Sequence, residues 1–334
     1  MLSKIFSSLY LKVFICIVVH RSKSVVLVET VGKKGVVDSV EESFNTTSVD
    51  DKMYEFISSY TEESPFHYIS LLDKSTSQGA APTCQKSEML NYFDASASKY
   101  QCYLKKWVYH TSKADINSLQ KEYEKIGLDF IFSPFVILAK FFKDKIDTNM
   151  AMFVLVEDNY VTVSVFDNSE LLYSKHLSME HDKDADGLII EDDDAKEIDL
   201  EIDDDIDLES IDVDELDNLG DIEDLDSLDD LDEFSDTKDL EEELNENLDE
   251  LPVGDIDSFN EDYQRFLLIQ GSINDFYKNE KYKSQFIEST YIADGVGVSG
   301  DLKRYLEEEM FLNVYIRTMD LNAEVFELAK AELK

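Results

Sequence analysis

Residues 13–40 and 151–173 carry the same pattern twice: three short β-rich runs joined by tight turns. In the first, Val13–Val19, Val25–Val31 and Val36–Val40 are divided by Arg-Ser-Lys and Gly-Lys-Lys-Gly. In the second, Ala151–Val156, Val161–Phe166 and Leu171–Tyr173 are divided by Glu-Asp-Asn and Asp-Asn-Ser. Valine, isoleucine and aromatics favour strands, and the Asp, Asn, Ser and Gly clusters favour turns. Each triplet is therefore a meander, and its repetition points to a duplicated fold.

The segments after each meander extend the parallel. Asp50–Tyr60 places Met53, Phe56, Ile57 and Tyr60 on one helical face, and Tyr68–Leu72 is the next strand. The first unit reads β-β-β-α-β. Residues 73–105 begin small and polar and read as a surface excursion. Lys106–Tyr109 is a strand, and Ile116, Leu119, Tyr123 and Ile126 stripe a helix that Gly127 ends. Phe130–Phe132 is a short strand. Ser133 then caps, and Pro134 opens, an almost wholly apolar helix over Phe135–Phe142. After the second meander the pattern resumes at Phe259–Tyr277 (helix), Phe286–Ile292 (strand), Leu302–Met310 (helix), Leu312–Arg317 (strand) and Leu321–Glu332 (helix).

The interruption is an acidic tract. The formal charge of the 334-residue chain is −43, and residues 182–257 hold 37 of its 74 acids against three of its 31 bases. From Leu216 to Phe234 an apolar residue recurs every third position, a period that gives neither a helix face nor strand alternation. Self-repulsion also opposes compaction, so the tract is expected to be a disordered insertion. Neither it nor the remainder offers the basic patch that direct nucleic-acid binding needs. Asp182, Asp184, Asp186, Leu188 and Asp193 match positions of a calcium loop, but Asp193 stands where the loop needs a longer bidentate Glu. An acidic tract produces such spacing by composition alone; weak Ca²⁺ or Mg²⁺ binding is the rival reading.

Cys16, Cys84 and Cys102 have no CxxC spacing, and any pairing leaves one over. They suit a reducing compartment, each as a small buried hydrophobe. No apolar run approaches the length of a membrane span. Val13–Val19 is read as a buried strand and not a signal core, because Ser22-Lys23-Ser24 behind it is a poor cleavage site. Leu2, Ile5, Phe6 and Leu9 suggest a short amphipathic lead-in docked on the protein itself. His176 and His181 have no third ligand in view and read as surface histidines.

Paired β-β-β-α-β units of this kind resemble the actin-like ATPase fold, a duplicated ribonuclease H-like α/β architecture. KEYEKIGLDFIFSPFVILAKFF is similar to the segment that precedes the second lobe in PilM-type pilus assembly proteins. TYIADGVGVSGDLKRYLEEEMFLNVYIRT is similar to that family's strand, glycine turn, helix and strand, and the cytoplasmic domain of GspL is a further relative by resemblance. The implied layout is a first lobe over 1–145, the start of a second at 146–181, the acidic insertion at 182–257 and the rest of the second lobe at 258–334. Implied too is a glycine turn (Gly295, Gly297, Gly300) against which adenosine of ATP could lie, with Mg²⁺ at the phosphates.

The departures argue against that cofactor. Where the family places Asp and glycines in the first phosphate turn this chain has VVHRSKSVV, and the second turn is VEDNYVTV. Glu157 and Asp158 there would repel phosphate. The expectation is a protein with no catalytic residues and no cofactor: a cytoplasmic scaffold, peripheral at the inner membrane. It would hold the cytoplasmic tail of a bitopic PilN-like partner in a groove between subdomains, within a pilus, secretion or DNA-uptake machine. The alternatives are a nucleotide-binding actin-like ATPase and an acidic cation-binding protein. No span of its own is expected in the chain, which would follow the PilM-type arrangement.

Overall fold

A computed structural model describes residues 10–179, 253–282 and 284–333. The first meander is β1 (Lys12–Val19), β2 (Ser24–Gly32) and β3 (Gly35–Phe44), followed by α1 (Asp51–Thr61) and β4 (His67–Leu72). Asp50 caps α1, its carboxylate accepting from Met53 N at 2.8 Å. After an excursion, α3 (Lys113–Glu122) ends where Gly127, at φ +75°, turns the chain into β8 (Phe130–Phe132). The sheet order is β3-β2-β1-β4-β8, with β1 antiparallel to β2 and parallel to β4.

The second lobe repeats this order. β9 (Ala151–Val156), β10 (Tyr160–Asp167) and β11 (Glu170–Ser178) form the meander, and α6 (Val253–Lys278) leads to β12 (Ser289–Asp294). α7 (Gly300–Glu308) then leads to β13 (Asn313–Thr318), giving the order β11-β10-β9-β12-β13. β9 is antiparallel to β10 and parallel to β12, matching β1. Two sheets with one order and one set of directions are the duplicated actin-like architecture.

Strand alternation distributes the core. On β1, Val13, Ile15 and Ile17 face α1 and α3, where Met53, Ile57 and Tyr123 close the layer. The alternate residues Phe14, Cys16 and Val18 belong to a core shared with the second sheet, which contributes Ala151, Phe153 and Leu155. α4 (Pro134–Phe141) lies within this shared core and buries residues 134–139, which accounts for its lack of a polar face. Met152, Val154 and Val156 turn the other way, onto Phe266, Ile269 and Ile273 of α6. Val13–Val19 is thus the buried strand expected, in the middle of a sheet.

Three expectations are corrected. Residues 73–105 hold β5 (Gly79–Ala81), α2 (Lys86–Met89) and β6 (Ser98–Tyr103), and β7 (Trp107–Ser112) joins them in a three-stranded sheet of order β5-β7-β6. Its own small core of Ala81, Met89 and Val108 is too short to register as a pattern. Cys84 and Cys102 are joined in a disulfide, with Cα atoms 5.7 Å apart, and only Cys16 is the expected buried free thiol. Lastly α8 (Leu321–Glu332), expected with the second lobe, packs Val325, Phe326 and Ala329 against Phe14, Cys16 and Leu27 of the first sheet. The lead-in at 2–9 and the acidic tract with Asp182–Asp193 lie outside the described residues. Among those described, no helix is long and apolar enough to cross a membrane.

Candidate functional site: the cleft between the two meander turns

The duplicated order brings the β1–β2 turn (His20–Lys23) opposite the β9–β10 turn (Glu157–Asn159). Each turn is polar because it projects beyond a sheet whose interior is apolar. Their charges are opposite, and they are bonded to each other. His20 Nδ1 lies 2.8 Å from Asp158 Oδ2, and that hydrogen bond holds the Asp158 carboxyl below the usual carboxylate range. Arg21 makes three bonds across the gap: Nε to Asn159 Oδ1 at 2.7 Å, Nη2 to Asp158 O at 3.0 Å, and Nη1 to Glu261 Oε1 at 2.7 Å.

From Glu261, on α6, the chain of charges continues. Arg265 donates to Glu261 Oε2 at 3.0 Å and to Asp262 Oδ1 at 2.7 Å. Asp262, fully buried, accepts from Ser299 N at 2.9 Å and Ser299 Oγ at 2.6 Å. Ser299 is the N-cap of α7, so one continuous network runs from the first meander turn to the glycine turn.

The glycine turn is answered from within. Asp294 Oδ1 accepts from Val296 N, Gly297 N and Val298 N at 3.0, 2.7 and 3.1 Å. Three converging N–H groups are an anion cradle, and here the anion is the chain's own carboxylate. Gly295 has no space for a side chain: a Cβ would meet Val156 O at 3.0 Å and Leu321 at 3.1 Å. Gly297 supplies a left-handed φ of +83°. Gly300 opens α7 with nothing near it. The three glycines are therefore gathered in one turn, and the first two have backbone reasons for being there.

Beneath the second turn, Glu157 is 1% exposed and its Oε2 lies 2.8 Å from Lys74 Nζ, while Oε1 has no hydrogen-bond partner among the described residues. His176 is buried beside it, between Thr162 Oγ1 at 2.8 Å from Nδ1 and Gln78 Nε2 at 3.4 Å from Nε2. Burial pushes His176 down to about 4. Expected on the surface, it instead joins the lobes, since Gln78 also accepts from Ser133 Oγ at 3.1 Å. Asp73, at the end of β4, accepts from Thr111 Oγ1 at 2.8 Å, and burial raises its carboxyl. Among the described residues no group of His, Cys, Asp and Glu is arranged to hold a metal.

A second concavity, of about 330 Å³, opens between the first sheet and the small three-stranded sheet. Asp73, Tyr100, Gln101, Tyr109, Asp129 and Ile131 are among its lining residues. A groove between subdomains was expected, but neither these lining residues nor the cross-cleft bonds were named from the sequence. What the sequence carries of the latter is only their ingredients, a basic turn and an acidic turn at equivalent places in a duplicated fold.

Residues 152–334 match the family model described as a domain of unknown function (DUF8341), and residues 10–139 match another, a domain of unknown function (DUF8569). A comparison with curated protein sequences finds no match. Solved structures similar to the chain include a Bacteroides thetaiotaomicron protein with actin-like ATPase fold and unknown function, at 9% identity, covering 96% of both chains, with a TM-score of 0.47. The PilM–PilN type IV pilus biogenesis complex aligns at 8% identity over 95% of this chain and 96% of that one, with a TM-score of 0.46. The activator of 2-hydroxyisocaproyl-CoA dehydratase from Clostridium difficile, bound to ADPNP, aligns at 11% identity over 96% and 97%, with a TM-score of 0.37.

Proposed function

We propose that this chain, which belongs to the family described as a domain of unknown function (DUF8341), is a scaffold with an actin-like fold whose inter-lobe cleft does no nucleotide chemistry. Arg21 is the observation that supports the reading. Its guanidinium spends its donors on Asn159, Asp158 O and Glu261, in the gap where an actin-like ATPase receives phosphates. A nucleotide would have to break those bonds and place its phosphates beside Glu157 and Asp158. Each lost charge-assisted bond forfeits about 1.5–3 kcal/mol.

The scaffold's task is to hold a short cytoplasmic tail of a membrane-anchored partner in an envelope machine of the pilus, secretion or DNA-uptake kind. The groove beside Tyr100 and Tyr109 suits such a tail, because aromatic walls give contact area and Asp73 and Asp129 give polar ends. The machine is named on the resemblance of residues 121–142 and 290–318 to PilM-type segments.

Two measurements test this. Titration calorimetry with ATP and Mg²⁺ is expected to give no binding tighter than about 0.1 mM, and a low-micromolar value would restore the ATPase reading. The tail of a bitopic protein encoded beside this chain is expected to bind, and Gln101→Arg, at the groove rim, to weaken it at least about tenfold. Binding indifferent to that change would remove the groove from the account.

A further inference from the structure

The third strand of each meander forms the outer edge of its sheet, and the two lobes treat that edge differently. Along β11 the edge is flanked by β5: Ser174 Oγ donates to Ala80 O at 2.8 Å and lies 3.0 Å from Ala80 N. Along β3 no described residue stands in a comparable place. This ten-residue strand pairs with β2 on one side only among the described residues, and only Val40 and Phe44 are withdrawn from solvent. Val36 and Val37 are 49% and 65% exposed, and Leu11, 46% exposed, sits with Val37 over Gly32.

A bare edge of this length is an invitation to strand pairing, which proteins usually suppress with lysine, proline or brevity. GVVDSVEESF has neither lysine nor proline, and its guards are a register shift at Val37 and three carboxylates. Its charges are all of one sign, Asp38, Glu41 and Glu42, and they discriminate between partners. In an antiparallel pairing of two copies with the twofold on Val40, Asp38 of each falls opposite Glu42 of the other. Like charges directly opposite are destabilising, and the chain's formal −43 adds to the repulsion. A basic strand meets neither obstacle.

We infer that β3 is a docking edge for an extended basic segment of a partner protein. The segment adds to the first sheet as a further strand. Its main chain completes the open hydrogen-bond ladder of β3, its Lys or Arg side chains oppose Asp38 and Glu42 on one face, and its apolar residues cover Val36 on the other. This edge is separate from the groove beside Tyr100, so either site can fail without the other.

Hydrogen exchange on the full chain tests it, because a site-resolved readout separates β3 from polycation binding at the acidic tract. The probe is a peptide of about eight residues alternating Lys and Val, long enough for most of a strand. It is expected to slow exchange of alternate amides within 36–43 at least about tenfold. A peptide of repeated Lys-Lys-Pro-Pro carries the same charge but lacks half the donors on each of its edges, and is expected to leave β3 unprotected. Glu41→Lys with Glu42→Lys is expected to abolish the protection without moving the melting temperature. No protection by the Lys-Val peptide, or equal protection by a Glu-Val peptide, overturns the inference. So does concentration-dependent protection without any peptide, which would make a second copy the occupant.

Discussion

His20 and Asp158 meet across the cleft at 2.8 Å, each from the first hairpin turn of its own lobe. Asp158→Ala is expected to cost about 1 kcal/mol, since the pair is partly solvated and Arg21 keeps its bond to the main chain at that position. The pH dependence has a definite sign. The hydrogen bond from His20 holds Asp158 below its unfolded value, so its contribution is complete above about pH 4 and is lost as pH falls through the folded value. The gap in melting temperature between wild type and variant should close in that acid range. A gap that persisted there would show that the carboxylate's charge is not what matters.

Asp294→Ala leaves the three amide donors of the glycine turn unanswered. About 2 kcal/mol of stability is expected to go, the cost of stranding partly buried donors. Millimolar sulfate should restore part of the lost melting temperature in the variant and do nothing for the wild type. Without that rescue, the turn is no latent anion cradle.

Gly295→Ala tests packing, not ligand affinity. The new methyl would press on Val156 O and Leu321, one of them main chain that cannot step aside. A loss of about 1–3 kcal/mol is expected by thermal or chemical denaturation. An unperturbed melting temperature would return Gly295 to the nucleotide account.

His176 supplies a second pH dependence of the same direction by another cause. Burial keeps it neutral to about pH 4, whereas the unfolded imidazole protonates near pH 6.5. Its contribution is whole above that value and falls away between about 6.5 and 4. His176→Gln should flatten, but not erase, the decline in that window, because half-buried His110 is also pushed down to about 4. A decline that kept its full slope in the variant would assign it wholly to other groups.

The sheets are legible in the sequence because burial on both faces leaves unbroken apolar runs, as in β1 and β9. Residues 73–105 are not, because a sheet with three core residues and a disulfide needs no long pattern. The striped face of α8 announces a helix but not its sheet, since amphipathicity names no partner. The cleft is hidden for a similar reason. VVHRSKSVV and VEDNYVTV each invite comparison with a phosphate-binding turn, and the bond between them emerges only when two turns 138 residues apart in sequence are set face to face.

The position of α8 bears on how the molecule is made. Its residues 321–332 leave the ribosome after every strand of both sheets, yet Phe326 closes the core over Phe14, near the opposite end of the described chain. Until then one face of the first sheet, including Phe14, Cys16 and Leu27, lacks its cover. The first lobe thus cannot finish folding as an independent early unit, and a nascent chain stalled before Leu321 should present that face to chaperones.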